Sequence, residues 1–78
     1  MTGYSVRAVA DAIACFLAEH PACADTIEGV ELWWLNPRGI TPPREVIARA
    51  LELLEVERVI EHRLIGPRKL WRLRRAKD

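Results

Sequence analysis

Residues 62–78 hold Arg63, Arg68, Lys69, Arg72, Arg74, Arg75 and Lys77 against one acid, Asp78. Guanidinium and ammonium groups at this density do one kind of chemistry well, the neutralisation of an anionic polymer or surface. The rest of the chain is mildly acidic. Residues 1–40 carry two basic and five acidic side chains, and residues 41–61 carry three arginines and five glutamates. The formal net charge is only +1, so the information lies in the asymmetry. A solvated tail is the plainer explanation of the same stripe.

Other chemistries find less to work with. Cys15, His20 and Cys23 can be drawn as a ligand set, but they straddle a helix end and have no recognised metal spacing. No metal or cofactor is expected. A disulfide between the two cysteines is allowed but not needed, because the core is aliphatic and small secreted domains usually carry more bridges. Asp11 and Glu19 flank Cys15 and disfavour a reactive thiolate. There is no glycine-rich phosphate loop and no nucleophile paired with a base at a familiar spacing. The carboxylates fall on wet helix faces, and the chain is too short for an enclosed substrate pocket. These features point to binding and away from catalysis.

Length and composition bound the architecture that must position the stripe. Seventy-eight residues, half of them apolar and 29% charged, make one small foldable domain. The apolar run 12–18 is short and follows Asp11, unlike a signal peptide. No stretch reaches the length of a membrane span, so a cytoplasmic protein without a membrane partner is expected.

Four elements can be placed. Val6, Val9, Ala10, Ile13, Phe16 and Leu17 recur at helical spacing and predict a helix over 5–19, capped by Ser5, with Arg7 and Asp11 facing each other one turn apart. Pro21 ends it. A second helix is expected over 26–35. Asp25 is read as its N-cap in a capping box with Glu28, and Ile27, Val30 and Trp34 form its inner face. A third helix is expected over 43–57, capped by Thr41 or Pro42, with Val46, Ile47, Ala50, Leu51 and Leu54 inward. Strands over 59–65 and 70–73 then form a hairpin around a turn at Gly66-Pro67-Arg68-Lys69, with 74–78 frayed.

Helix, helix, turn, helix and basic hairpin resembles the winged helix-turn-helix family. The stretch from Ile47 to Glu55, followed by Arg58-Val59-Ile60-Glu61, is similar to that family's third helix and first wing strand, and Leu70-Trp71-Arg72-Leu73 looks like the second. The resemblance covers residues 5–73 and rests on apolar spacing. It implies a mainly α fold (α+β), three helices followed by a two-stranded wing. Two departures stand out: Arg58 replaces the glycine usual at the turn into the wing, and the segment 36–42 is long.

The resemblance also implies a small transcription-associated DNA-binding protein. In such proteins the third helix enters the major groove and the wing touches phosphate. Arg38, Thr41, Arg44 and Arg49 on the helical side, with Arg63, Arg68, Lys69, Arg72 and Arg74 on the wing, are the expected contacts. Glu45, Glu52 and Glu55 on the third helix oppose deep insertion, and Glu45 is expected to neutralise Arg49. Binding is therefore expected to be backbone-driven, with weak base reading.

A second role belongs to the same fold. Trp33 and Trp34 are adjacent and point about 100° apart on a helix. If Trp34 is inward, Trp33 with Leu32 is left outside as an interface anchor for a protein partner or a homodimer. The alternative is that both tryptophans are buried, in a broad core or under residues 1–4. His62 is expected to be structural, and Trp71 is expected to pack the hairpin onto the helices.

Overall fold

A computed structural model describes residues 4–74. Its described part is a small α+β unit with three helical regions and a three-stranded antiparallel sheet. Of the tail 74–78 expected to fray, residues 75–78 lie outside it, while Arg74 is held by its N–H to the Val59 carbonyl at 3.0 Å; of residues 1–4, considered as a cover for the tryptophans, 1–3 lie outside it.

Helix α1 is Val6–Glu19. Ser5 caps it as expected, its Oγ accepting from the Ala8 N–H at 3.0 Å. Val9, Ala10, Ile13 and Leu17 are buried along one stripe. The chain leaves the helix at His20, whose N–H still reaches the Phe16 carbonyl, and Pro21 follows.

Ala24–Asp25 then forms a two-residue strand, β1, which pairs with the last strand of the chain. The expected two-stranded wing is thus a three-stranded sheet. It also corrects the N-cap of the second helix. Asp25 sits in the strand opposite Trp71 and spends its carboxylate on the Thr26 N–H at 2.9 Å. Thr26 takes over as the cap, accepting from the Gly29 N–H at 3.3 Å. A Cβ on Gly29 would lie 1.9 Å from the Asp25 carboxyl carbon, so any larger residue here pushes the Asp25 side chain out of its present place.

Helix α2 starts as one α turn, Ile27–Gly29, and continues as a π-helical segment, Val30–Leu35, and a 3₁₀ turn, Asn36–Arg38. The wider π turn has a reason in the sequence. Val30, Trp34 and Leu35 are all buried, a spacing of four and then one that suits i→i+5 bonding better than a regular α stripe. Gly39, at φ 78°, turns the chain toward the third helix.

Helix α3 is Arg44–Val56 and buries Ile47, Ala50, Leu51 and Leu54. Pro43 occupies the N-cap position with no side-chain bond, which replaces the expected cap at Thr41 or Pro42. At its other end the Arg58 N–H bonds to the Glu55 carbonyl at 3.0 Å and the Val59 N–H to the Leu54 carbonyl at 2.9 Å. These two bonds make a Schellman motif, which demands a left-handed residue between them. Arg58 supplies it, at φ 65°. The departure from glycine therefore leaves the turn intact and places an L-residue in a conformation that costs it energy.

Strands β2, Ile60–Ile65, and β3, Arg68–Leu73, complete the sheet in the order β1-β3-β2. The loop between them is only Gly66-Pro67, with Gly66 at φ 60°, so Arg68 and Lys69 belong to the strand and not to the turn. Ile60, His62, Trp71 and Leu73 share the face toward the helices; Glu61, Arg63, Leu70 and Arg72 share the opposite face. Trp71 is buried and joins Ile60 to the helical core, as expected. Phe16 stacks on Trp34 at 5.0 Å between ring centres. No helix among the described residues is long and apolar enough to cross a membrane.

Candidate nucleic-acid interface

The arginines divide into two groups according to whether a carboxylate has already claimed them. In the body of the domain Arg7, Arg38 and Arg44 are claimed. Arg7 bonds to both Glu57 oxygens at 2.9 and 3.2 Å and pairs with Asp11 one turn along. Arg38 reaches Glu19 at the end of α1, 2.7 Å away, with its guanidinium 5.9 Å from the Phe16 ring centre. Arg44, at the start of α3, is gripped by Glu31 at 2.6 and 3.1 Å and touches Glu28 at 3.5 Å. Its pKa is raised first by the hydrogen bonds to Glu31 and then by the two carboxylate charges.

The hairpin differs. Among the described arginines there only Arg72 is paired, its guanidinium 2.8 Å from Glu61 on the neighbouring strand. Arg63, Arg68, Lys69 and Arg74 have no carboxylate partner among the described residues, and neither has Arg49 on the outer face of α3. Lys69 instead lays its ammonium 5.2 Å from the Trp71 ring centre. The expected Glu45–Arg49 pair does not form; both side chains are exposed and separate.

Thr41 is exposed, but its backbone N–H donates to the Tyr4 hydroxyl at 3.2 Å, with its own hydroxyl 3.5 Å from the same oxygen. Of the expected contacts, Arg38, Thr41, Arg44 and Arg72 are therefore engaged by polar partners. Among the described residues Arg49, Arg63, Arg68, Lys69 and Arg74 have no carboxylate partner, Lys69 lying over Trp71 instead.

Arg58 joins the second group, and sequence reasoning passed over it as a mere departure from glycine. It is exposed at the turn into β2 and unpaired among the described residues. The Arg74 N–H bonds to the Val59 carbonyl, so Arg58 and Arg74 meet at the base of the hairpin while Arg63, Arg68 and Lys69 lie toward its tip. Six strand residues extend about 20 Å, long enough to follow several phosphates of a duplex. No helix-stop signal marks that position in the sequence, since Arg58 stands where this turn usually has glycine.

The acidic side chains of α3 separate in the same way. Glu55 turns to His62 on the hairpin, 2.5 Å from its Nδ1. Glu45 and Glu52 remain exposed and unpaired among the described residues. A phosphate-lined groove would meet these two beside Arg49.

Leu32 and Trp33 occupy the outer side of the π segment, 51% and 66% exposed, with Trp34 fully inside the core. Cys15 is exposed and Cys23 half-buried, both as free thiols. Among the described residues no group of three or more His, Cys, Asp or Glu is arranged to hold a metal ion. No family model, curated protein or solved structure matches the chain.

Proposed function

We propose that this chain is a winged helix-turn-helix module, transcription-associated, that binds duplex DNA mainly through its phosphate backbone. The element order and the β1-β3-β2 sheet are compatible with that architecture. The observation that carries the proposal is the clustering of free cations. Among the described residues Arg58, Arg63, Arg68, Lys69 and Arg74 on the hairpin, with Arg49 on α3, have no ion-pair partner, while Arg7, Arg38, Arg44 and, on the hairpin, Arg72 are paired. Lys and Arg free to replace condensed counterions are what phosphate binding requires. The contact surface is narrower than the sequence alone implies, because the start of α3 is neutralised by Glu28 and Glu31.

Amide shift mapping with a mixed-sequence duplex tests this. Shifts at 58–74 and around Arg49 support the proposal. Shifts confined to other residues, or none at low salt, refute it.

A second reading is favoured by one observation, the exposure of Trp33 beside Leu32. In that reading the module docks a protein, or a second copy of itself, through the outer side of the π segment. Sedimentation of the wild type and Trp33→Ala tests it: loss of a dimer or partner complex supports the docking role, and an unchanged monomer with an intact fold removes it.

A further inference from the structure

Between the hairpin tip and the two helices before it lies an open cleft of about 610 Å³. Its charges are arranged in opposition. Glu28 and Glu52 line it from the helical side, and Arg68 and Lys69 line it from β3. Ile27, Ala48 and Trp71 supply apolar surface between them. Glu52, Arg68 and Lys69 form no ion pair with one another or with any other described residue. Glu28 meets Arg44 only at 3.5 Å, and its carboxyl is held below the usual range, first by its own backbone N–H, then by Thr26, and also by the charges of Arg44 and, across the cleft, Arg68. Opposite charges thus face the same space without closing on each other.

We propose that this cleft binds a small zwitterion, specifically a short peptide with a free amino group, a free carboxylate and an apolar side chain between them. The ammonium meets Glu28 and Glu52, the carboxylate meets Arg68 and Lys69, and the apolar side chain covers Ile27 and Ala48. The volume lies within the range of small-ligand sites. An extended tripeptide, about 10 Å long, carries its two opposite charges at its two ends. A ligand of one charge is drawn to one wall and repelled by the other, so the site selects for both charges together. The proposal does not depend on DNA binding, and its test uses no nucleic acid.

The experiment is a titration of the ¹⁵N-labelled chain with Gly-Leu-Gly, its N-acetylated form (anion only) and its C-terminal amide (cation only). Gly-Leu-Gly gives saturable shifts at Glu28, Glu52, Arg68 and Lys69. Each single-charge analogue binds at least about tenfold more weakly, a difference of about 1.4 kcal/mol. Glu52→Gln and Arg68→Gln, exposed substitutions that leave the thermal melt intact, each weaken the zwitterion and abolish its advantage over one analogue. Absence of saturable shifts at the cleft, or an analogue that binds as tightly as Gly-Leu-Gly, overturns the proposal.

Discussion

Under the proposed role, Glu31→Gln should strengthen duplex DNA binding. One Glu31 oxygen accepts from both Nη2 and Nε of Arg44, at 2.6 and 3.1 Å, and thereby withdraws from phosphate the cation best placed at the start of α3. Without that charge Arg44 keeps only the 3.5 Å contact to Glu28. Each added phosphate contact steepens the dependence of log K on log salt by about 0.9, which corresponds to roughly eightfold in affinity at 0.1 M salt. Residual pairing with Glu28 lowers the expected gain to about three- to eightfold on the same scale. The fold loses little, since Arg44 is half exposed and its pair with the partly buried Glu31 is screened by solvent. Fluorescence anisotropy with a mixed-sequence duplex at several salt concentrations reads both affinity and slope. Glu31→Gln with Arg44→Gln should return both to the wild-type range. If Glu31→Gln leaves affinity and slope unchanged, the reasoning that Glu31 is what keeps Arg44 from the phosphates is refuted.

Arg58→Gly should stabilise the domain by about 0.5–1 kcal/mol in urea denaturation, because glycine meets the left-handed conformation at 58 without strain; a loss of stability would contradict the Schellman reading. Gly29→Ala should cost about 1–2 kcal/mol, since it expels the Asp25 carboxylate from the Thr26 N–H and more than cancels the helix-propensity gain of about 1 kcal/mol. In an Asp25→Ala background the same change should become neutral or favourable. Arg7 holds the Glu57 carboxyl below its ordinary value, mainly by hydrogen bonding. That contribution to stability is present above the ordinary carboxylate value and is lost as pH falls through the lowered one. Arg7→Gln should move the Glu57 midpoint upward in a carboxyl NMR titration, and an unmoved midpoint refutes the coupling.

The sequence disclosed α1 and α3 nearly to the residue, because each carries an uninterrupted apolar stripe and, in α1, a serine cap. It disclosed the hairpin through Gly66-Pro67 and the branched residues on either side. The strand Ala24–Asp25 was not legible: two residues have no periodicity, and their pairing is decided by Trp71 and Arg72 far along the chain. That strand also redirected Asp25 from capping to clamping Thr26. The π segment was hidden by Trp33 and Trp34, which satisfy an α spacing for one of them and leave the role of Leu35 unaccounted for. The charge pattern was the largest gap. Arg44 with Glu31, Arg38 with Glu19 and Glu55 with His62 are all partners brought together by tertiary packing, whereas the helical spacing of Glu45 and Arg49 pointed to a pair that does not form. Counting charges along the chain located the basic hairpin but could not tell which arginines were already spent.

The free cations are the centre of the account, and the salt dependence of duplex binding tests them most directly. With Arg49, Arg58, Arg63, Arg68, Lys69 and Arg74 open to phosphate, and not all engaged at once, log K should fall against log salt with a slope of about −3 to −5. Absence of binding at low salt, or a slope near zero, would contradict it.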